Sequence, residues 1–231
     1  MLNDYKAALE QRNNYLKQIV NEKKAIEMLD IWDEQLANLS YQIYQYRQEY
    51  VEKIKEKITK IHRNITETKD QKEAEEITLK YISTGDTKAK FLENIQKARE
   101  IDIKRGFTSI GIHRDEMIIY INHKPVARFG SQGQQRTTIL SLKLAELQVV
   151  SDEIGDAPIL LLDDFMSELD EKRRKVLLEK IKENQVIITC TDRIELKENK
   201  NTKFFLVEKR QNKRKGNSIE NSTSFPIQRV F

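Results

Sequence analysis

Two polar clusters between Gly130 and Asp170 combine residue types and spacing suited to chemistry. The first, Ser131-Gln132-Gly133-Gln134, is a short polar turn set directly before Thr138 to Val150, a run of helix formers with recurring apolar residues. A turn feeding a helix points backbone N–H groups out of the helix N-terminus, where the macrodipole and the unpaired amides favour an anion such as a phosphate. The second, Asp163-Asp164, ends the apolar run Ile159-Leu160-Leu161-Leu162. That run reads as a buried parallel strand with a charged C-terminal end, the end at which open α/β sheets bind ligands. Adjacent carboxylates there suit a hard cation and a poised water, because Mg²⁺ takes oxygen ligands and keeps several of its waters. One Asp would hold the metal and the next would face the water. Ser167-Glu168-Leu169-Asp170 has the spacing of a capping box and predicts that the following helix opens there.

These clusters need a sheet and helices to position them. The run 159–164, a helix over Glu171 to Asn184 with Val176, Leu177 and Ile181 on one face, and the apolar run Val186 to Thr189 make a βαβ crossover, so the sheet is parallel here. A last strand, Phe204 to Val207, leads into the basic stretch Lys209 to Lys215. Upstream, Met117 to Ile121 and Val126 to Phe129 are β-rich runs around Asn122-His123-Lys124-Pro125, which predicts a hairpin. Ser83 to Thr87 reads as a loop and Lys90 to Glu100 as a helix.

From Met1 to Thr84 there is neither Gly nor Pro, which favours long helices. Leu29, Trp32, Leu36, Leu39, Ile43, Tyr46 and Tyr50 alternate three and four apart, as in a coiled-coil seam. The pattern then shifts to Ile54, Ile58, Ile61 and Ile65, a stutter that would unwind a supercoil. A helix over Leu29 to Ile65 would be on the order of 55 Å long, an arm with a shorter partner through Tyr5, Leu9, Leu16 and Ile19. The predicted division is a helical arm over 1–100 and an α/β domain over 101–231.

The balance of 41 basic and 37 acidic residues is too even to imply nucleic acid by itself. Its distribution is uneven: Ile101 to Glu171 has 7 Lys and Arg against 12 Asp and Glu, whereas Lys172 to Phe231 has 16 against 7. A polyanion could lie along that basic end, which as a plain alternative is a solvated terminus. The single cysteine, Cys190, permits no disulfide within the chain and suits a reducing compartment. With no apolar run near about 18 residues and no signal-peptide core, the sequence predicts a soluble, intracellular protein.

Ser131-x-Gly133-Gln134 resembles the signature motif of ABC-type ATPases, Ile159 to Asp164 their Walker B strand, and Ser167 to Asp170 their D-loop. The wording of both stretches is similar to the RecF-type family of bacterial recombination mediators, and so is Gly111-Ile112-His113-Arg114-Asp115, where that family usually has Pro at 112. The resemblance is dense over about 106–192. It implies an α/β fold: the C-terminal half of an ABC-type head, a mostly parallel sheet flanked by helices, preceded by a long helical or coiled-coil arm. It also implies a site: Asp163 on Mg²⁺, Asp164 with the water, and Ser131, Gly133, Gln134 and Asp170 on ATP held by another subunit. The implied biology is DNA repair, recombination, replication and the SOS response, with an ATP-dependent homodimer that binds DNA and meets RecR- and RecO-type mediators in the bacterial cytoplasm.

No G-x-x-x-x-G-K-[ST] phosphate loop is present; Gly106 and Gly111 have its separation, but Ile112-His113 stands where Lys and Ser or Thr must be. The sequence is therefore expected to be the C-terminal part of a longer protein and inactive as an ATPase by itself. Asp164 stands where ABC ATPases commonly have Glu, which implies slow hydrolysis, and Thr191 or Cys190 where many have a switch histidine. A protein-kinase reading of His113-Arg114-Asp115 and Asp164-Phe165 fails, since Tyr120 occupies the Asn position and Met166 the Gly position. A lone histidine such as His113 is more often a hydrogen-bonded structural residue than a catalyst. Two competing readings are an SMC-like structural protein acting through its coiled coil, and an ATP-independent DNA-binding module.

Overall fold

The computed structural model describes residues 1–22, 25–66, 75–163, 166, 169–190, 202–208 and 224–230. They form two compact units, Met1–Glu56 with Ile77–Pro125, and Lys57–Glu76 with Val126–Phe231. Residues 100 and 101, where the sequence suggests a division, lie inside one helix, Arg99–Arg105.

The first unit contains α1 (Leu2–Glu22), the first part of α2 (Leu29–Thr66), β1 (Ile77–Ile82), α3 (Lys88–Lys97), α4 (Arg99–Arg105), β2 (Glu116–Ile121) and β3 (Lys124–Pro125). With 38 residues, α2 is the long helix that the missing Gly and Pro predict. Its buried line departs from the expected seam: Tyr46 is 66% and Tyr50 40% exposed, while Ile43, Val51 and Ile54 are buried. The stripe thus follows the 3.6-residue period of an ordinary helix packing on mixed neighbours, rather than the 3.5-residue period of a supercoil. Tyr5 and Ala8 of α1 pack with Leu36 and Ile43 of α2 and with Phe91 and Ile95 of α3.

Arg12 sits in the middle of the buried face of α1. Its Nε donates to Asp33 at 2.7 Å, and its Nη1 to Asp102 at 2.7 Å and to Thr108 Oγ1 at 2.8 Å. All three charged side chains are fully buried, an arrangement that survives only when every charge is paired. The network ties α1 to α2 and α4.

Strand β1, absent from the expected elements, pairs antiparallel with β2 from Ile77↔Ile121 to Ile82↔Glu116. Asn122 and His123 both take positive φ, 47° and 64°, as a tight two-residue hairpin turn requires. The second arm of the hairpin is shorter than expected: only Lys124 and Pro125 pair with β2, because Pro125 has no N–H to extend the ladder. Val126–Phe129 is instead a helical turn, α5, closed by Gly130 N–H on Val126 O at 2.9 Å.

The second unit adds α5 to the end of α2, then α6 (Gln132–Ile154), β4 (Leu160–Asp163), α7 (Glu171–Lys180), β5 (Val186–Thr189), β6 (Thr202–Glu208) and β7 (Ser224–Val230). Its sheet has the order β4-β5-β7-β6. The parallel pairing expected at the crossover holds between β4 and β5; β7 pairs antiparallel with both β5 and β6. The end of α2 lies along α6 in the opposite direction, with Lys57 paired to Asp152 and His62 Nδ1 3.0 Å from Ser141 Oγ.

β4 is not enclosed as its apolar run predicts. Among the described residues it pairs on one edge only, Ile159 is 62% and Leu161 72% exposed, and an apolar groove of about 480 Å³ opens between β4 and α6. No described element covers that face.

Candidate functional site

The chain enters α6 through Ser131, whose extended backbone (φ −62°, ψ 160°) makes it the N-cap. The spacing Ser131-x-x-Gln134 is a capping box: Ser131 Oγ accepts from Gln134 N at 3.2 Å, and Gln134 Oε1 accepts from Ser131 N at 2.9 Å. This cap starts the helix at Gln132, six residues before the expected Thr138, because it satisfies amides that a propensity argument leaves unpaired. At the other end Gly155, with φ 73°, takes the left-handed C-cap conformation.

Within the described residues no hydrogen bond engages the amides of Gln132 and Gly133. Gly133 lines a recess of about 420 Å³ together with Glu75, Ser131, Thr137, Lys172 and Arg173. Gly133 has a helical backbone outside the positive-φ region, and a Cβ built there would meet only Arg173 Nη2 at 3.6 Å and Ser131 Oγ at 3.9 Å. Among the described residues nothing requires a glycine at that position, and without a Cβ the backbone is open to close approach.

Arg173 closes the far wall. Its Nε donates to Thr137 Oγ1 at 2.7 Å and its Nη2 to Gly133 O at 3.2 Å, and it forms an ion pair with Asp170. Thr137 Oγ1 in turn donates to Gly133 O at 2.8 Å. Asp170 is the N-cap of α7, accepting from Arg173 N at 2.9 Å, so α7 starts at Glu171 as expected and ends at Lys180, short of the expected Asn184. The Arg173 amide and guanidinium hold the Asp170 carboxyl below its usual pKa. Ser167 and Glu168 lie outside the described residues, as does Asp164.

Asp163 is exposed at the end of β4 and accepts from Thr189 Oγ1 at 2.5 Å. An exposed carboxylate bonded to one hydroxyl fits a Mg²⁺ ion that takes most of its ligands from water and phosphate; among the described residues no group of three or more metal-ligating side chains forms a closed cage. Ser131, Gly133 and Gln134 thus line one recess with Arg173, to which Asp170 is paired, whereas Asp163 lines the apolar groove beside β4. Gln134 has both ends of its side-chain amide engaged within the chain, so its part is to hold the turn. The sequence reading missed Arg173 and Glu75. Arg173, at the third position of α7 after a capping Asp, had a usable signal in its spacing; Glu75 had none.

The segment Gly111 to Asp115 belongs to the first unit and acts there as a clasp. Gly111 has φ 137°, and a Cβ would come within 2.9 Å of Tyr5 Oη. His113 Nδ1 is 2.8 Å from the same Tyr5 Oη, and Arg47 Nη1 donates to Ile112 O at 2.7 Å. Asp115 accepts from Tyr81 Oη and Ser83 Oγ, both at 2.7 Å, and from Thr84 N at 2.9 Å. Burial, together with Asp115, pushes the Tyr81 phenol up to about 12. His113 is accordingly a hydrogen-bonded structural histidine, and burial lowers its pKa.

No family model matches the chain. Individual proteins do: it is 42% identical over 204 residues to the DNA replication and repair protein RecF of Acetivibrio thermocellus, covering 87% of this chain and 55% of that protein. The RecF protein of Clostridium tetani is 42% identical over 195 residues, 81% of this chain and 51% of that one. The chain is homologous to the RecF proteins. It spans about half the length of the curated relatives it matches. Among solved structures, the recombination mediator protein RecF-ATP of the RecFOR pathway superposes with a TM-score of 0.74 at 34% identity, covering 85% of this chain and 53% of that one. The RecF-ATPrS structure gives 0.77 at 33% identity, covering 88% and 55%. The RecF relationship carries the fold class expected from the sequence: an α/β head portion with a long helix.

Proposed function

We propose that this chain carries the part of a RecF-type recombination mediator that closes over ATP held by a second subunit, so that nucleotide binding controls dimerisation and DNA engagement. The observation that carries this reading is the capped start of α6: Gly133, whose amide is open, lines a recess, and among the described residues nothing requires a glycine there. A helix N-terminus with free amides stabilises an anion best within its first turn. Ser131 Oγ and the Gly133 amide would meet the terminal phosphate, and Lys172 and Arg173 would add positive field beside it. Asp163 would hold Mg²⁺, which neutralises charge on the phosphates when bound; Asp164 would orient the attacking water, its short side chain giving slow turnover. Asp170 would face the partner subunit from the start of α7.

Two further features support a longer head and a nucleic-acid partner. The exposed apolar face of β4 suits coverage by additional strands, in relatives about twice as long as this chain. The basic stretch Lys209 to Lys215, outside the described residues, suits non-specific phosphate contacts with DNA. RecR- and RecO-type mediators are the expected protein partners.

The test places Ser131→Arg in a head that also carries a phosphate loop. The variant should bind ATP nearly normally as a monomer but fail to dimerise with it. Sedimentation with and without ATP, beside a nucleotide-binding assay, separates the outcomes. Lost ATP binding with normal assembly would place this turn in the wrong site.

A further inference from the structure

We propose that Glu75, held by His62 at the end of α2, is a positioning residue for the Ser131–Gln134 turn, so that the last turns of α2 and the phosphate-facing turn are coupled. The geometry is a closed circuit of hydrogen bonds. Gln134 Nε2 donates to Glu75 Oε1 at 3.0 Å, and Glu75 Oε2 lies 3.2 Å from His62 Nε2. His62, fully buried, places Nδ1 3.0 Å from Ser141 Oγ. The circuit therefore leaves α6 at Gln134 and rejoins it two turns later at Ser141, with α2 as the outer rail.

Glu75 acts on the turn through the Gln134 amide. A carboxylate can only accept from this amide, so it fixes the NH₂ end toward itself and the carbonyl end toward Ser131 N–H. Were the amide to rotate, two N–H donors would face each other and the capping box would open. The Ser131 hydroxyl and the Gly133 amide would then lose their fixed aim. Neutral His62 donates from Nε2 to Glu75, and its Nδ1 shares Ser141 Oγ, at 3.0 Å, with Thr137 O, to which that hydroxyl donates at 2.8 Å. Gln at position 75 can keep the circuit, accepting from Gln134 with its oxygen and donating to the other tautomer of His62. Ala cannot.

The inference rests on the proposed role of the turn, yet its first test needs no nucleotide. Amide hydrogen exchange on the 231-residue chain should show Ser131 and Gln134 exchanging about fivefold faster in Glu75→Ala, the equivalent of one lost helix cap. Glu75→Gln should match the parent, and the rest of α6 should be unchanged in both. Unchanged exchange at both amides in Glu75→Ala would overturn the proposal; so would acceleration spread evenly through Leu144, which marks a plain loss of packing. In a head bearing a phosphate loop, Glu75→Ala should weaken ATP-driven association while leaving ATP uptake intact, with Glu75→Gln restoring association. Altered exchange with unaltered association would sink the ATP reading of the turn and leave the coupling standing.

Discussion

Gly133→Ala should stabilise the chain while weakening the site. Gly133 lies in the first turn of α6 with a helical backbone, where Ala is favoured over Gly by about 0.5–1 kcal/mol, toward the lower value near a helix end. The new methyl would have Arg173 Nη2 at 3.6 Å and Ser131 Oγ at 3.9 Å, ordinary contact distances that cost nothing. A gain of that size in a chain of this length raises the melting temperature by about 1–3 °C. The same methyl stands where a phosphate would approach the amide. Losing one charge-assisted hydrogen bond costs about 1.5–3 kcal/mol, or about ten- to a hundredfold in ATP-driven association. Melting followed by circular dichroism on the 231-residue chain, and sedimentation with ATP on a head carrying a phosphate loop, read the two effects separately. A lowered melting temperature would show that the fold does need the glycine. Undiminished association would show that nothing approaches the backbone there.

Two further predictions concern stability. Arg12→Met should cost about 3–5 kcal/mol, because it leaves buried carboxylates without their cation; the lower end is expected, since Asp33 keeps Arg99 and Asp102 keeps Ser109. Urea titration followed by Trp32, the single tryptophan, reads the unit concerned, and an unchanged midpoint would refute the buried network. Burial lowers the pKa of both His62 and His113 from the ordinary 6.5, so the folded state prefers them neutral. The unfolded chain then binds more protons below about pH 6.5, and this contribution to stability, fully present above that pH, is lost as pH falls toward the folded values. His62→Gln should flatten the dependence of the urea midpoint between about pH 7.5 and 5.5, and an identical slope would assign the dependence elsewhere.

The sequence shows long-range patterns and hides local competitions. The length of α2 and the β4–α7–β5 crossover were readable because absence of Gly and Pro and apolar runs leave few alternatives. β1 was hidden inside a stretch read as helical, although Ile77 and Leu79 alternate inward at period two. β7 carries Pro226, which pairs with Leu206 of β6 one residue beyond the pairing with β5, and a Pro within a run argues against a strand. At the site, Ser131 and Gly133 were legible from motif and spacing. Glu75 was not, because it reaches Gln134 across 59 positions of sequence and its effect is to hold another side chain. The role of Gly111 to Asp115 was equally hidden, since its partners Tyr5, Arg47 and Tyr81 come from three separate elements.

The measurement that tests the account most directly is complementation between two inactive heads. One carries Ser131→Arg with an intact phosphate loop; the other carries intact Ser131 with the lysine of its phosphate loop replaced. If the turn at the start of α6 serves ATP held by another subunit, neither protein alone should form an ATP-dependent dimer, and the mixture should recover both dimerisation and slow Mg²⁺-dependent hydrolysis through one composite site. Dimerisation and hydrolysis by the Ser131→Arg head alone, at the parental level, would contradict it.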